Sequence, residues 1–175
     1  MKGLILYTSK YGSTEKYAKW LSEETGFALA RTSDADIKAV SQYDTIVLGG
    51  GVYASGIAGL SFLKRHARAL RDKRIIVFCC GASPYDKKAF DAIVAHNLTG
   101  ELQGLPCFYC RGAFDLKSMS FGDRTLCKML RKAVAKKDPK DCEPWESALM
   151  SVGDDEAKDW TDKSYIDPIL DAIKG

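Results

Sequence analysis

Apolar positions along the chain fall into two spacings that take turns. Residues 2–7 read as a buried strand, and residues 14–25 then set Tyr17, Ala18 and Leu21 at helical intervals before stopping at Gly26. Residues 27–30 make a short second strand, 34–40 a weak helix and 43–49 a third strand. Residues 60–70 follow as a helix that turns Phe62, Leu63, Ala67 and Leu70 inward. A fourth strand (74–80), a helix (87–98), a fifth strand (106–113) and a closing amphipathic helix (165–173) complete the pattern.

Five short apolar strands separated by helices imply an α/β fold, a doubly wound five-stranded parallel sheet, because right-handed crossovers lay helices on both faces. Residues 115–160 are too long for a simple strand-to-helix connection and contain a helix of their own, so they read as an insertion after the fifth strand. At 175 residues the expectation is one domain, 1–175, with that insertion inside it.

Composition adds two things. The net charge of +3 is unevenly spread, since residues 124–140 carry seven basic groups against one acid, and residues 141–175 carry three against ten. No apolar run approaches a signal core or a membrane span, so the expected location is cytoplasmic, at most peripheral to the inner face of the membrane. There the six cysteines stay reduced. Cys107 and Cys110 form a C-x-x-C, but on a strand positions three apart face opposite ways, and no second pair completes a metal site. They are expected to be buried thiols, with no metal bound.

In open α/β sheets ligands bind beyond the carboxyl ends of the strands, where strand order reverses. Three loops qualify. The first, Thr8, Ser9, Lys10, Tyr11, Gly12, Ser13 and Thr14, places four hydroxyls and a glycine directly before a helix, where amides and the helix dipole favour a phosphate; Ser13 acting only as an N-cap is the alternative. The second, Gly49, Gly50, Gly51, Val52, Tyr53 and Ala54, and the third, Gly81, Ala82, Ser83 and Tyr85, suit close approach to a flat ring that the tyrosines flank. The first loop lacks G-x-x-x-x-G-K-[ST], which disfavours a P-loop NTPase, and the acidic residues a response-regulator receiver needs are missing. Gly49 to Ala54 satisfies G-x-G-x-x-A in form, but it follows the wrong strand and does not run into a helix.

A loop of the form T-S-K-x-G-x-T after the first strand, with a glycine-rich loop after the third and a small-residue loop after the fourth, resembles the FMN-binding elements of the flavodoxin superfamily. Residues 62–67, Arg111-Gly112-Ala113, Asp123-Arg124 with Lys128, and Asp159-Trp160 are similar to the group within it that includes menaquinone-dependent protoporphyrinogen oxidase. The resemblance implies a flavodoxin-like fold and noncovalent FMN, with its phosphate on the first loop and its ring between the other two. It also implies redox chemistry at the flavin, aided by a backbone flip that Gly49, Gly50 and Gly51 would make easy. The net charge departs from that of the acidic carrier flavodoxins.

Residues 121–137 carry a second signal. Leu126, Met129, Leu130, Ala133 and Val134 form a helical stripe, opposite Arg124, Lys128, Arg131 and Lys132. The stripe would pack on the domain and the charges face water, or the basic face would meet a redox partner protein, a porphyrin or quinone substrate, or an anionic membrane surface. Nucleic acid is not expected, because no aromatic interleaving accompanies the charge. The leading expectation is an FMN-binding redox protein, an electron carrier or an oxidoreductase. The alternatives are a quinone-dependent protoporphyrinogen oxidase of heme biosynthesis and a cofactor-free binding module.

Overall fold

The computed structural model describes residues 2–154 and 156–175. Five parallel strands form the central sheet: β1 (Gly3–Thr8), β2 (Ala28–Arg31), β3 (Thr45–Tyr53), β5 (Arg74–Gly81) and β6 (Cys107–Arg111), in the spatial order β2-β1-β3-β5-β6. The short β4 (Gly56–Ile57) turns back antiparallel on the end of β3. Strand order reverses between β1 and β3, which opens a crevice at the carboxyl edge there.

Strand pleating sorts the core into two layers. Leu4, Leu6, Ile46, Leu48, Val77 and Cys79 face one way, under α3 (Leu60–His66) and α4 (Lys87–Asn97). Ile5, Val47, Ile76, Phe78, Cys80 and Cys110 face the other, under α1 (Ser13–Thr25) and the last helix, α7 (Asp167–Lys174). The remaining helices are the single turn α2 (Ile37–Val40) and, in the insertion, α5 (Phe121–Val134) and α6 (Pro144–Met150). No helix among the described residues is long and apolar enough to cross a membrane. Cys107 packs in the first layer and Cys110 in the second, as their spacing on one strand requires.

Two expectations are corrected. The third strand runs through Tyr53 instead of ending at Gly49, so Gly49, Gly50 and Gly51 lie inside the parallel ladder, in register with Phe78, Cys79 and Cys80. A Cβ on Gly49 would lie 2.1 Å from the Phe78 ring, and one on Gly50 would lie 2.0 Å from the Ala58 carbonyl oxygen. These glycines therefore make room for a buried ring and a returning hairpin. The fifth strand also stops at Arg111, and residues 113–115 leave the sheet as β7 (Ala113–Asp115) to pair antiparallel with β8 (Ala157–Asp159). That ribbon closes the base of the insertion, which folds around Phe114, Leu116, Leu149 and Val152.

Candidate functional site

The β1–α1 loop ends in Gly12, whose φ of 95° is left-handed and which opens on empty space. The first amides of α1 have no carbonyl one turn earlier to bond, and no side chain caps the helix, so Ser13 is not acting as the N-cap. An uncapped helix start at the switch point offers amide hydrogens and a positive dipole end, which fit a phosphate group.

The four hydroxyls around it do not converge. Ser9 closes the loop by accepting from the Gly12 N–H at 3.1 Å, and Thr8 points toward Gly59. Thr14 is buried against the Cys80 thiol. Ser13 Oγ accepts from the Ala113 N–H at 3.0 Å, and its own proton is left to donate. The sequence shows how many hydroxyls the loop has, but the strand and helix ends that fix their χ angles decide where they point.

Lys10 and Tyr11 both hold the carboxylate of Asp123, on the first turn of α5, and the Tyr11 hydroxyl also accepts from the Ser120 N–H at 3.3 Å. Hydrogen bonds from Lys10 and then Tyr11 keep the Asp123 carboxyl below its ordinary pKa, and the same contact raises that of Lys10. The loop thus already grips one anionic oxygen ligand.

The hairpin after β3 turns through Ala54 and Ser55, both at positive φ (46° and 66°). Buried Asn97 of α4 pins it, donating to the Ser55 carbonyl at 2.6 Å and accepting from the Ile57 N–H at 2.9 Å. Val52 and Tyr53 end the strand, and the Tyr53 ring lies over Gly51 with the Lys10 ammonium 5.7 Å from its centre. Burial raises the Tyr53 hydroxyl pKa.

The loop after β5 is held by β6. Gly81 accepts from the Gly112 N–H at 2.7 Å, Ala82 from Arg111 Nε at 3.2 Å and Ser83 from the Tyr109 hydroxyl at 2.6 Å. Tyr85 packs on Phe90 and Tyr109, with ring centres 5.8 and 6.0 Å away.

The insertion is stitched to the same edge. Gly112 passes over α1, where an added Cβ would sit 2.9 Å from Cys80 Sγ and 3.1 Å from Ser13. Its carbonyl accepts from the Trp160 N–H at 3.2 Å, and the Arg111 guanidinium lies 4.2 Å over the Trp160 ring. Between the insertion and the β5 loop is an apolar cavity of about 160 Å³, lined by Ala82, Ser83, Phe114, Leu130, Trp145 and Trp160 among others. The loops predicted this edge, but Asn97, Asp123 and Trp160 reach it only through contacts distant in sequence. No cluster of metal-ligating side chains is found among the described residues.

The charged face of α5 is also corrected. Arg124 turns inward and donates to the carbonyls of Leu116, Lys117 and Met119, and Arg131 reaches Asp154 at 2.6 Å. Lys128 and Lys132 point outward, together with most of the apolar stripe; only Val134 of that stripe is buried.

A family model, the flavodoxin domain, matches residues 4–142. The chain belongs to the flavodoxin-domain family. The strand order β2-β1-β3-β5-β6 fits that membership. Solved structures similar to this flavodoxin domain include a flavoprotein in complex with FMN from Lactobacillus acidophilus NCFM (21% identity, covering 63% of this chain and 91% of that one, TM-score 0.43). Others are a flavodoxin, WrbA-like protein from Agrobacterium tumefaciens (18%, 70% and 87%, 0.46) and the two-electron reduced flavodoxin of Megasphaera elsdenii (19%, 61% and 82%, 0.45). A comparison with curated proteins finds no match.

Proposed function

We propose that this flavodoxin domain binds FMN without a covalent bond and acts as a redox protein. The observation that carries the proposal is the uncapped α1 start behind Gly12, at the point where strand order reverses. The amides of Ser13, Thr14 and Glu15 and the Ser13 hydroxyl would hold the phosphate. FMN, when bound, supplies one- and two-electron transfer at its ring. Tyr53 and the Asn97-pinned hairpin would flank that ring on one side, and the β5 loop, fixed by Arg111 and Tyr109, on the other. Gly49 to Gly51 would not supply a moving peptide, since they sit in the ladder.

The apolar cavity favours a second reading, an oxidoreductase of the protoporphyrinogen oxidase type, over a bare carrier. Its roughly 160 Å³ and apolar lining suit a ring-sized group such as a quinone head. Turnover of a porphyrinogen with a quinone would support that reading, and reduction of artificial dyes alone would leave the carrier.

The phosphate assignment is tested by titrating cofactor-free protein with FMN and with riboflavin, which lacks the phosphate. FMN should bind at least a hundredfold more tightly. Equal affinities would remove α1 from the site.

A further inference from the structure

Of the eight large hydrophobic side chains that are exposed among the described residues, six belong to residues 121–150: Phe121, Leu126, Met129 and Leu130 on α5, and Trp145 and Met150 on α6. Phe121 is 87% exposed, Met129 63% and Leu126 54%, far more than a helix needs to show if it only covers its own domain. The side of α5 that meets the protein is formed instead by Asp123, Arg124, Cys127, Arg131 and Val134.

Charge is sorted the same way. Two acids after residue 140 pair with basic groups of this segment, exposed Asp154 with Arg131 and buried Glu146 with Lys137. Lys128 and Lys132, like several other surface lysines, have no ion-pair partner among the described residues, and both are exposed. A 14-residue helix therefore presents an apolar stripe of Leu126, Met129 and Leu130 bordered on one side by Lys128 and Lys132, with Phe121 between the two lysines on the helical wheel at about 100° per residue. Unpaired lysines beside protruding apolar side chains suit a surface that is anionic at the level of the ammonium groups and apolar just beneath.

We propose that α5 docks this protein on an anionic lipid bilayer, with Phe121, Leu126 and Met129 entering the interface and Lys128 and Lys132 meeting lipid phosphates. An acidic protein surface would satisfy the lysines but leave the apolar stripe without a counterpart. A second copy would bring like charges together. Because Asp123 and Ser120 tie the start of α5 to the Lys10–Tyr11 loop, docking would bring the candidate cofactor edge toward the lipid.

The test is co-sedimentation of the full chain with vesicles of phosphatidylcholine alone and of phosphatidylcholine with 30% phosphatidylglycerol. The wild type should bind the anionic vesicles and ignore the neutral ones, and binding should weaken as salt rises. Lys128→Glu/Lys132→Glu should cut partitioning about 25-fold or more, from roughly fivefold per surface lysine. Leu126→Ser/Met129→Ser should cut it at least tenfold at unchanged charge. Both pairs are solvent-facing, so an unchanged melting curve will show that the fold is intact. Failure to bind anionic vesicles overturns the proposal. If poly-glutamate then binds and the lysine reversals abolish it, the surface serves an acidic protein. If sedimentation equilibrium shows a dimer that the serine pair dissolves, it serves a second copy.

Discussion

Gly49→Ala puts a methyl group where the Phe78 ring now lies, with the new Cβ 2.1 Å from Cζ and 2.4 Å from Cε1. Phe78 is fully buried and directly opposite Gly49 in the β3–β5 ladder, so the ring has no open direction to take. Overpacking of this kind costs about 1–3 kcal/mol, which for a chain of this length lowers Tm by about 2–12 °C. Phe78→Leu alone costs about 1–2 kcal/mol by leaving a void. In the double variant the methyl group occupies part of that void, so the combined loss should fall short of the sum by at least about 1 kcal/mol. Urea melts of the cofactor-free protein measure all three variants without interference from flavin binding. Strict additivity would refute the packing argument. So would a Gly49→Ala variant with unchanged stability and weakened FMN binding, which would return this glycine to the cofactor.

Ser13→Ala should weaken FMN binding by roughly 1–3 kcal/mol, the worth of a hydroxyl donated to a charged phosphate, while Thr14→Val should change it less than about threefold because that hydroxyl faces Cys80; equilibrium titration separates the two. Ser55→Gly should stabilise the protein by about 0.5–1 kcal/mol in a thermal melt, since glycine relieves a left-handed residue at some entropic cost. Burial pushes the Cys80 thiol up from 9 to about 12, so its contribution to stability is whole below pH 9 and is lost as pH rises from 9 to 12. Urea midpoints followed up that range should fall, and alkylation of the native protein at pH 8 should spare Cys79, whose hydrogen bond with Cys107 and burial raise its thiol, and Cys80 and Cys110, which burial keeps protonated.

The parts of the fold that were legible in the sequence are those in which one residue's environment repeats along an element. Strands buried on both faces show as unbroken apolar runs, and the x-x spacing of Cys107 and Cys110 places them on opposite layers because a strand alternates strictly. The β3 glycines misled because Gly-Gly-Gly signals a loop by local propensity, whereas here a ring from β5 and a carbonyl from the returning hairpin take the space. The helical stripe on α5 shows correctly which residues share a face. It does not show which face meets the protein, because that was decided by backbone carbonyls at Leu116, Lys117 and Met119 that Arg124 satisfies. Asn97 carries no local signal, and Asp123 shows only as part of a motif; neither contact at the edge of the sheet is legible, since each spans 40 or more residues of sequence.

Whether this flavodoxin domain binds FMN in a redox-active form is read from the protein as purified. Its visible absorption is recorded before and after reduction and reoxidation, and the cofactor released on denaturation is weighed by mass spectrometry. A reversible flavin spectrum is expected, with FMN at one per chain, reached after reconstitution if some is lost in purification. FAD in the released fraction, or no flavin uptake from excess FMN by folded protein, would contradict it.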